Sequence, residues 1–115
     1  MTRLVLLLAA LTVPSASATD MFVYFGTHTD APGLGFSLAR FDTATGVLAK
    51  PEFLLEAAAP AFFVIHPDGR HLYASNSIKT FQRQPAGAVS AYAVNPPTGR
   101  LTLLNQQPSG GADAN

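Results

Sequence analysis

Residues 35–48 read GFSLARFDTATGVL, and residues 88–101 read AVSAYAVNPPTGRL. Laid one over the other, Asp42 falls on Asn95 and Thr45-Gly46 on Thr98-Gly99, a constant offset of 53 residues. Each copy has an apolar stretch, a polar turn ending in Thr-Gly, and an apolar restart, which is how two antiparallel strands around a tight turn read. Between the copies, residues 61–76 (AFFVIHPDGRHLYASN) hold two further apolar runs around a Pro-Asp-Gly turn. A strand-rich repeat of this length fits a propeller blade, for which periods of roughly 40 to 50 residues are usual. The fold class expected is all-β, with four-stranded antiparallel blades. About two blades fit in 115 residues, whereas closed propellers use about 4 to 8, so the sequence reads as the N-terminal part of a larger ring.

Outward from the repeat, residues 21–27 (MFVYFGT) read as a largely buried strand. A breaker-rich loop follows to Gly35, then strands over about 36–41 and 47–55. These form a meander, blade one, over about 21–57. Blade two occupies about 60–107, with strands at 62–65, 72–75, 89–94 and 101–106. The stretch 108–115 begins the next blade. In His66-Pro67-Asp68-Gly69, Pro presets φ at the second turn position and Gly closes the fourth.

Ahead of the blades stand Arg3, an apolar run over 4–13, Pro14 and Ser-Ala-Ser-Ala. That order of charge, apolar core and Ala-x-Ala predicts a secretory signal over residues 1–18, cut before Thr19. The run is shorter than the about 20 apolar residues a membrane span needs, so export is expected and no span remains after cleavage. The chain contains no cysteine, so no disulfide is available and packing has to hold it.

Seven Lys and Arg face seven Asp and Glu. Removing Arg3 with the signal leaves six bases, spaced singly along the sequence without a patch, and this excludes nucleic acid as a partner. His66 and His71 flank a turn and lack the i, i+4 spacing of a helical zinc motif. Gly33-Leu34-Gly35 lacks the rest of a phosphate loop, and Gly-x-Ser-x-Gly is absent. Glu52 and Glu56 read as solvated. No complete catalytic set is assembled, and neither a cofactor nor a metal site is expected.

The order VYFGTHT, FDTATGVL, PAFFVIHPDGRHLYASN and GAVSAYAVNPPTGRLTLLNQQPSGGAD resembles the lactonase family of seven-bladed propellers, the 6-phosphogluconolactonase-like proteins, across nearly all of residues 22–113. The resemblance implies that residues 21–27, 35–42 and 47–55 are the outer three strands of blade one, whose innermost strand comes from a distant C-terminal segment, and that residues 61–66 are the innermost strand of blade two. The remaining blades are then needed for closure. It further implies hydrolysis of a small sugar lactone, with the working His, Arg and Glu in later blades, so that these two blades alone are expected to be inactive. Mouth positions present here are Thr27, His28, Ala61, Phe62, Asn76 and Ser77. Thr27, His28 and Asn76 are the candidates for the rim of a substrate funnel, beside the alternative that they serve only loop and turn hydrogen bonding. Many relatives carry an acidic residue where Ser77 stands, which weakens an acid–base role for this blade. Export fits an unphosphorylated lactone more readily than a phosphorylated one. A non-catalytic exported binding scaffold is the other function the architecture accommodates.

Overall fold

A computed structural model describes residues 20–113, so the 1–18 signal segment lies outside the described residues. Eight strands and no helix make up the described chain: β1 (Asp20–Gly26), β2 (Gly35–Asp42), β3 (Val47–Leu48), β4 (Glu52–Glu56), β5 (Pro60–Ile65), β6 (His71–Asn76), β7 (Ala88–Val94) and β8 (Leu101–Pro108). They form two antiparallel sheets. The first runs β1-β2-β3, with β4 also on β2; the second runs β5-β6-β7-β8 in chain order.

The strand expected over 47–55 is two pieces in one lane. Val47 and Leu48 pair with Asp42 and Phe41, and Glu52–Glu56 pairs with Leu38 back to Gly35 through a bulge at Phe36/Ser37. Pro51 accounts for the interruption, because it brings no N–H to the ladder. Glu52 and Glu56 are exposed, as the sequence suggests. Among the described residues, the β1 edge facing away from β2 has no strand beside it.

The repeated turns are alike in detail. The Gly46 amide donates to the Asp42 carbonyl at 2.8 Å, and the Gly99 amide to the Asn95 carbonyl at 2.7 Å. Both glycines hold left-handed backbone, with φ of 74° and 72°, a region that a Cβ disfavours.

The two sheets stack face to face around Phe36, Leu72, Ala74, Tyr92 and Leu101, with Tyr24, Leu54, Leu55, Phe63 and Val94 against them. Phe36 is fully buried. Its ring meets Phe63 and Tyr92 edge-on, with centroids 5.3 and 5.4 Å away, the geometry that aromatic quadrupoles prefer. Burying such a side chain stabilises the stack by about 1.5–3 kcal/mol. The Tyr24 hydroxyl donates to the Gly99 carbonyl at 2.6 Å, and burial raises its pKa above the ordinary value, which keeps it a donor. A Cβ at Gly26 would strike the Pro60 carbonyl oxygen, so glycine lets β1 approach the start of β5.

Candidate functional site

The connections fall into two groups, one at each end of the strands. One end gathers the 27–34 loop after β1, the 57–59 crossover into β5, the 77–87 loop after β6 and the 109–113 tail after β8. Backbone hydrogen bonds tie these segments together. Ala59 donates to Thr29 at 3.0 Å, Ser77 donates to Ala59 at 2.9 Å, Ser109 to Gly87 at 3.0 Å and Asp113 to Ile78 at 2.9 Å. Ala59 is buried with φ of 40°, a left-handed conformation that its neighbours over-determine: its N–H is engaged and its carbonyl accepts from both Ser77 and Ala61.

A cleft of about 590 Å³ opens among these loops, lined by His28, Thr29, Asp30, Ala58, Ser77, Ile78, Lys79, Thr80 and Asp113. One imidazole, two carboxylates, an ammonium and three hydroxyls therefore converge there. Such a set can hydrogen-bond a polyhydroxylated ring and meet an anionic group with Lys79.

The funnel candidates fall in three different settings. His28 is exposed and lines the cleft. Thr27 is half-buried at the end of β1, its hydroxyl 3.5 Å from the Thr29 carbonyl. Asn76 is buried with both ends of its amide engaged: Nδ2 donates to the Ala58 carbonyl at 2.6 Å, and Oδ1 accepts from the Ser90 hydroxyl at 2.6 Å. Gln106 Nε2 in turn donates to Ser90 Oγ at 2.9 Å. Asn76 thus clamps the 57–59 crossover that carries the cleft wall. Ala61 is half-buried, and the Phe62 ring is 66% exposed on the outer face of the second sheet. Nothing in the sequence singles out Asp30, Lys79 and Asp113, because only the fold brings positions so far apart into one cleft.

The opposite end holds the 43–46, 66–70 and 95–100 turns. Both turn-flanking histidines reach Asp68: His71 Nδ1 lies 2.8 Å from Oδ2 and His66 Nδ1 lies 3.2 Å from Oδ1. The Arg70 amide, 2.7 Å from Oδ1, leads in holding the Asp68 carboxyl down at about 2, with the hydrogen bond from His71 and the charges of both histidines acting the same way. Among the described residues, no group of three or more His, Cys, Asp or Glu is placed to hold a metal ion. Towards this end a second cleft, of about 380 Å³, is lined in part by Arg40, Lys50, Arg100, Glu52 and Phe22. Three of the six described bases thus share one cleft, a grouping that their single spacing along the sequence conceals. Arg40 also stacks over Phe22, 5.0 Å from the ring centroid, and lies 3.7 Å from Asp20.

Two antiparallel four-stranded sheets stacked face to face, the second running β5-β6-β7-β8 in chain order, define the class as a β-propeller, here about two blades of one. The family model for the seven-bladed β-propeller lactonases matches residues 22–115, and the chain belongs to that family. A 6-phosphogluconolactonase of Formosa agariphila is 29% identical over 93 residues, which cover 77% of this chain and 25% of that protein. A candidate 6-phosphogluconolactonase from Bacteroides fragilis, solved as a crystal structure, superposes with a TM-score of 0.72 at 33% identity, over 87% of this chain and 27% of its own. The periplasmic gluconolactonase of Pseudomonas aeruginosa shares the fold, with a TM-score of 0.70 at 24% identity over 82% of this chain and 26% of its own. The chain thus spans about a quarter of the length of these relatives.

Proposed function

We propose that these residues are blades one and two of an exported propeller that hydrolyses a carbohydrate lactone, with the loop-end cleft forming part of the funnel rim. In that reaction a water oxygen bonds to the lactone carbonyl carbon, the ring C–O bond breaks, and the alkoxide leaving group takes up the proton lost by water. The protein has to supply a base for the water and donors for the oxyanion. His28 and Lys79 contribute polar recognition at the rim, Thr27 and Asn76 fix the loops that carry them, and the reacting groups belong to other blades. The observation that carries the reading is the convergence of His28, Asp30, Ser77, Lys79 and Asp113 on one cleft in a chain of lactonase family membership.

The test is hydrolysis of gluconolactone and of its 6-phosphate by the complete propeller, measured above the spontaneous rate. Turnover of the unphosphorylated lactone is expected. Binding without turnover of either would replace the enzyme reading with the scaffold reading. Export is tested separately by sequencing the N-terminus of the protein recovered from outside the cytoplasm, which is expected to begin at Thr19.

A further inference from the structure

The cleft towards the turn end takes no part in the function proposed above, and it is built wholly from the two described sheets. Phe22, Leu38, Arg40, Lys50 and Glu52 line it from the first sheet, and Thr98 and Arg100 from the second. It therefore opens along the seam between the sheets, on the side of β4 and β8, the strands that end the two ladders away from β1 and β5. Further blades of a ring meet the far faces of the two sheets, and the strand that the family resemblance gives to blade one lies along β1. Neither enters this seam.

Arg40, Lys50 and Arg100 share the cleft with one carboxylate, Glu52. The 53-residue offset that relates β2 to β7 holds in the flanking lanes as well: Phe41 pairs with Leu48 as Val94 pairs with Leu101, and Leu38 with Glu52 as Ala91 with Asn105. Under that offset Arg40, Lys50 and Arg100 correspond to Ala93, Leu103 and Val47, so the blade pattern calls for a base at none of the three positions. Arg40 is already oriented, its guanidinium stacked 5.0 Å from the Phe22 ring centroid. The Ala49 amide donates to the Arg40 carbonyl at 2.9 Å, which holds Lys50 close by in the gap that Pro51 leaves between β3 and β4. Among the described residues neither Lys50 nor Arg100 forms an ion pair, although Glu52 lines the same cleft. Arg40 meets only Asp20, which does not line the cleft, at 3.7 Å with both side chains more than half exposed, a pair that solvent screens.

We propose that this seam binds a phosphomonoester carried on a small apolar or aromatic body. Three bases against one carboxylate leave a net charge of two in the lining, which matches the roughly −1.5 to −2 of a phosphomonoester near neutral pH. The forks of Arg40 and Arg100 suit phosphate oxygens, and Lys50 adds a point charge. A carboxylate brings one charge and leaves part of the set unmatched. The body of the ligand has its own wall in Phe22, Leu38 and Leu54, half-buried side chains in the same lining. At about 380 Å³ the cleft falls near the lower end of small-ligand sites, so the body is of the size of a single ring. The seam lies towards the opposite end of the strands from the loop-end cleft, so it can be filled while the funnel works.

Isothermal titration calorimetry on the complete propeller tests this, with phenyl phosphate, inorganic phosphate and benzoate as probes. Phenyl phosphate is expected to bind at least about threefold tighter than either of the others, and more weakly as salt is raised. Arg40→Gln, Lys50→Gln and Arg100→Gln are each expected to weaken it about fivefold. All three side chains are exposed, so the substitutions leave the packing in place, which unchanged thermal unfolding checks. Lys79→Gln, in the loop-end cleft, is expected to leave this binding as it is. Phenyl phosphate that does not bind overturns the proposal, as do an affinity that the three substitutions leave unchanged and benzoate or inorganic phosphate bound as tightly. A loss confined to Lys79→Gln also overturns it, by putting the phosphate in the funnel. The readout is binding, so each result holds whether or not the propeller turns over a lactone.

Discussion

The Asp42–Gly46 and Asn95–Gly99 turns share a closing hydrogen bond and a left-handed glycine, yet one stands in open space and the other lies against Leu38 and Phe22 of the first sheet. Their geometry is therefore local: the opening Asp or Asn and the closing Thr-Gly produce it with or without neighbours. Asp42 does this with its carboxylate, which accepts from the Ala44 amide at 2.8 Å, whereas Pro96 and Pro97 stiffen the second copy by fixing φ. What differs is the energetic weight of each turn, and stacking sets that weight.

The largest expected effect comes from the stacked face. Phe36→Ala should lower unfolding stability by about 3–5 kcal/mol, the usual range for a fully buried phenyl, while Val89→Ala at the equivalent exposed position should cost below about 1 kcal/mol in dilute solution. Equal shifts in urea midpoint would break the distinction between the two faces. Next, Asn76→Ala leaves the Ala58 carbonyl and the Ser90 hydroxyl short of a partner and should cost about 2–3 kcal/mol, against a few tenths for Thr27→Ala, its ladder counterpart in the first sheet. Gly99→Ala should cost about 2 kcal/mol and Gly46→Ala about 1, because both meet the left-handed penalty and only the first also pushes on Leu38 and Phe22.

The smallest effect is the acid response of Asp68. Its folded value of about 2 lies below the ordinary 3.8, so the stability it contributes is fully present above about pH 4 and is lost as pH falls through 2. Carboxyl chemical shifts should titrate near 2, and Asp68→Asn should flatten the acid limb of stability between pH 4 and 2. A midpoint near 3.8 would show that the Arg70 amide and the two histidines do not act on it.

The blade pattern was legible because it is written in short-range chemistry. Alternation along His71–Asn76, the Pro-Asp-Gly turn and the repeated Thr-Gly each fix structure within a few residues. The Pro51 interruption also had a local sign, although the run over 47–55 reads as continuous when only hydrophobicity is followed. The site was less legible. His28 could be found from its place after a buried strand, but Asp30, Lys79 and Asp113 meet only through loop-to-loop hydrogen bonds that no spacing encodes. Arg40, Lys50 and Arg100 look solitary in sequence for the same reason. Asn76 reads as a mouth residue, and its hydrogen-bonding capacity turns out to be spent on the crossover beneath the cleft.

The β1 edge that has no strand beside it among the described residues is the place that the family resemblance gives to the innermost strand of blade one. Its seven residues of extended backbone, unpaired on that side among the described residues, form a template for β-augmentation, the mode in which a peptide is recognised mainly through its main chain and selected by side chains on alternate positions. A synthetic strand that matched the apolar rows of Met21, Val23 and Phe25 on one face and Phe22 and Tyr24 on the other would complete the ladder in trans. This blade is accordingly a starting point for a two-part complementation reporter, in which a short peptide tag is read out by the order it imposes on its acceptor.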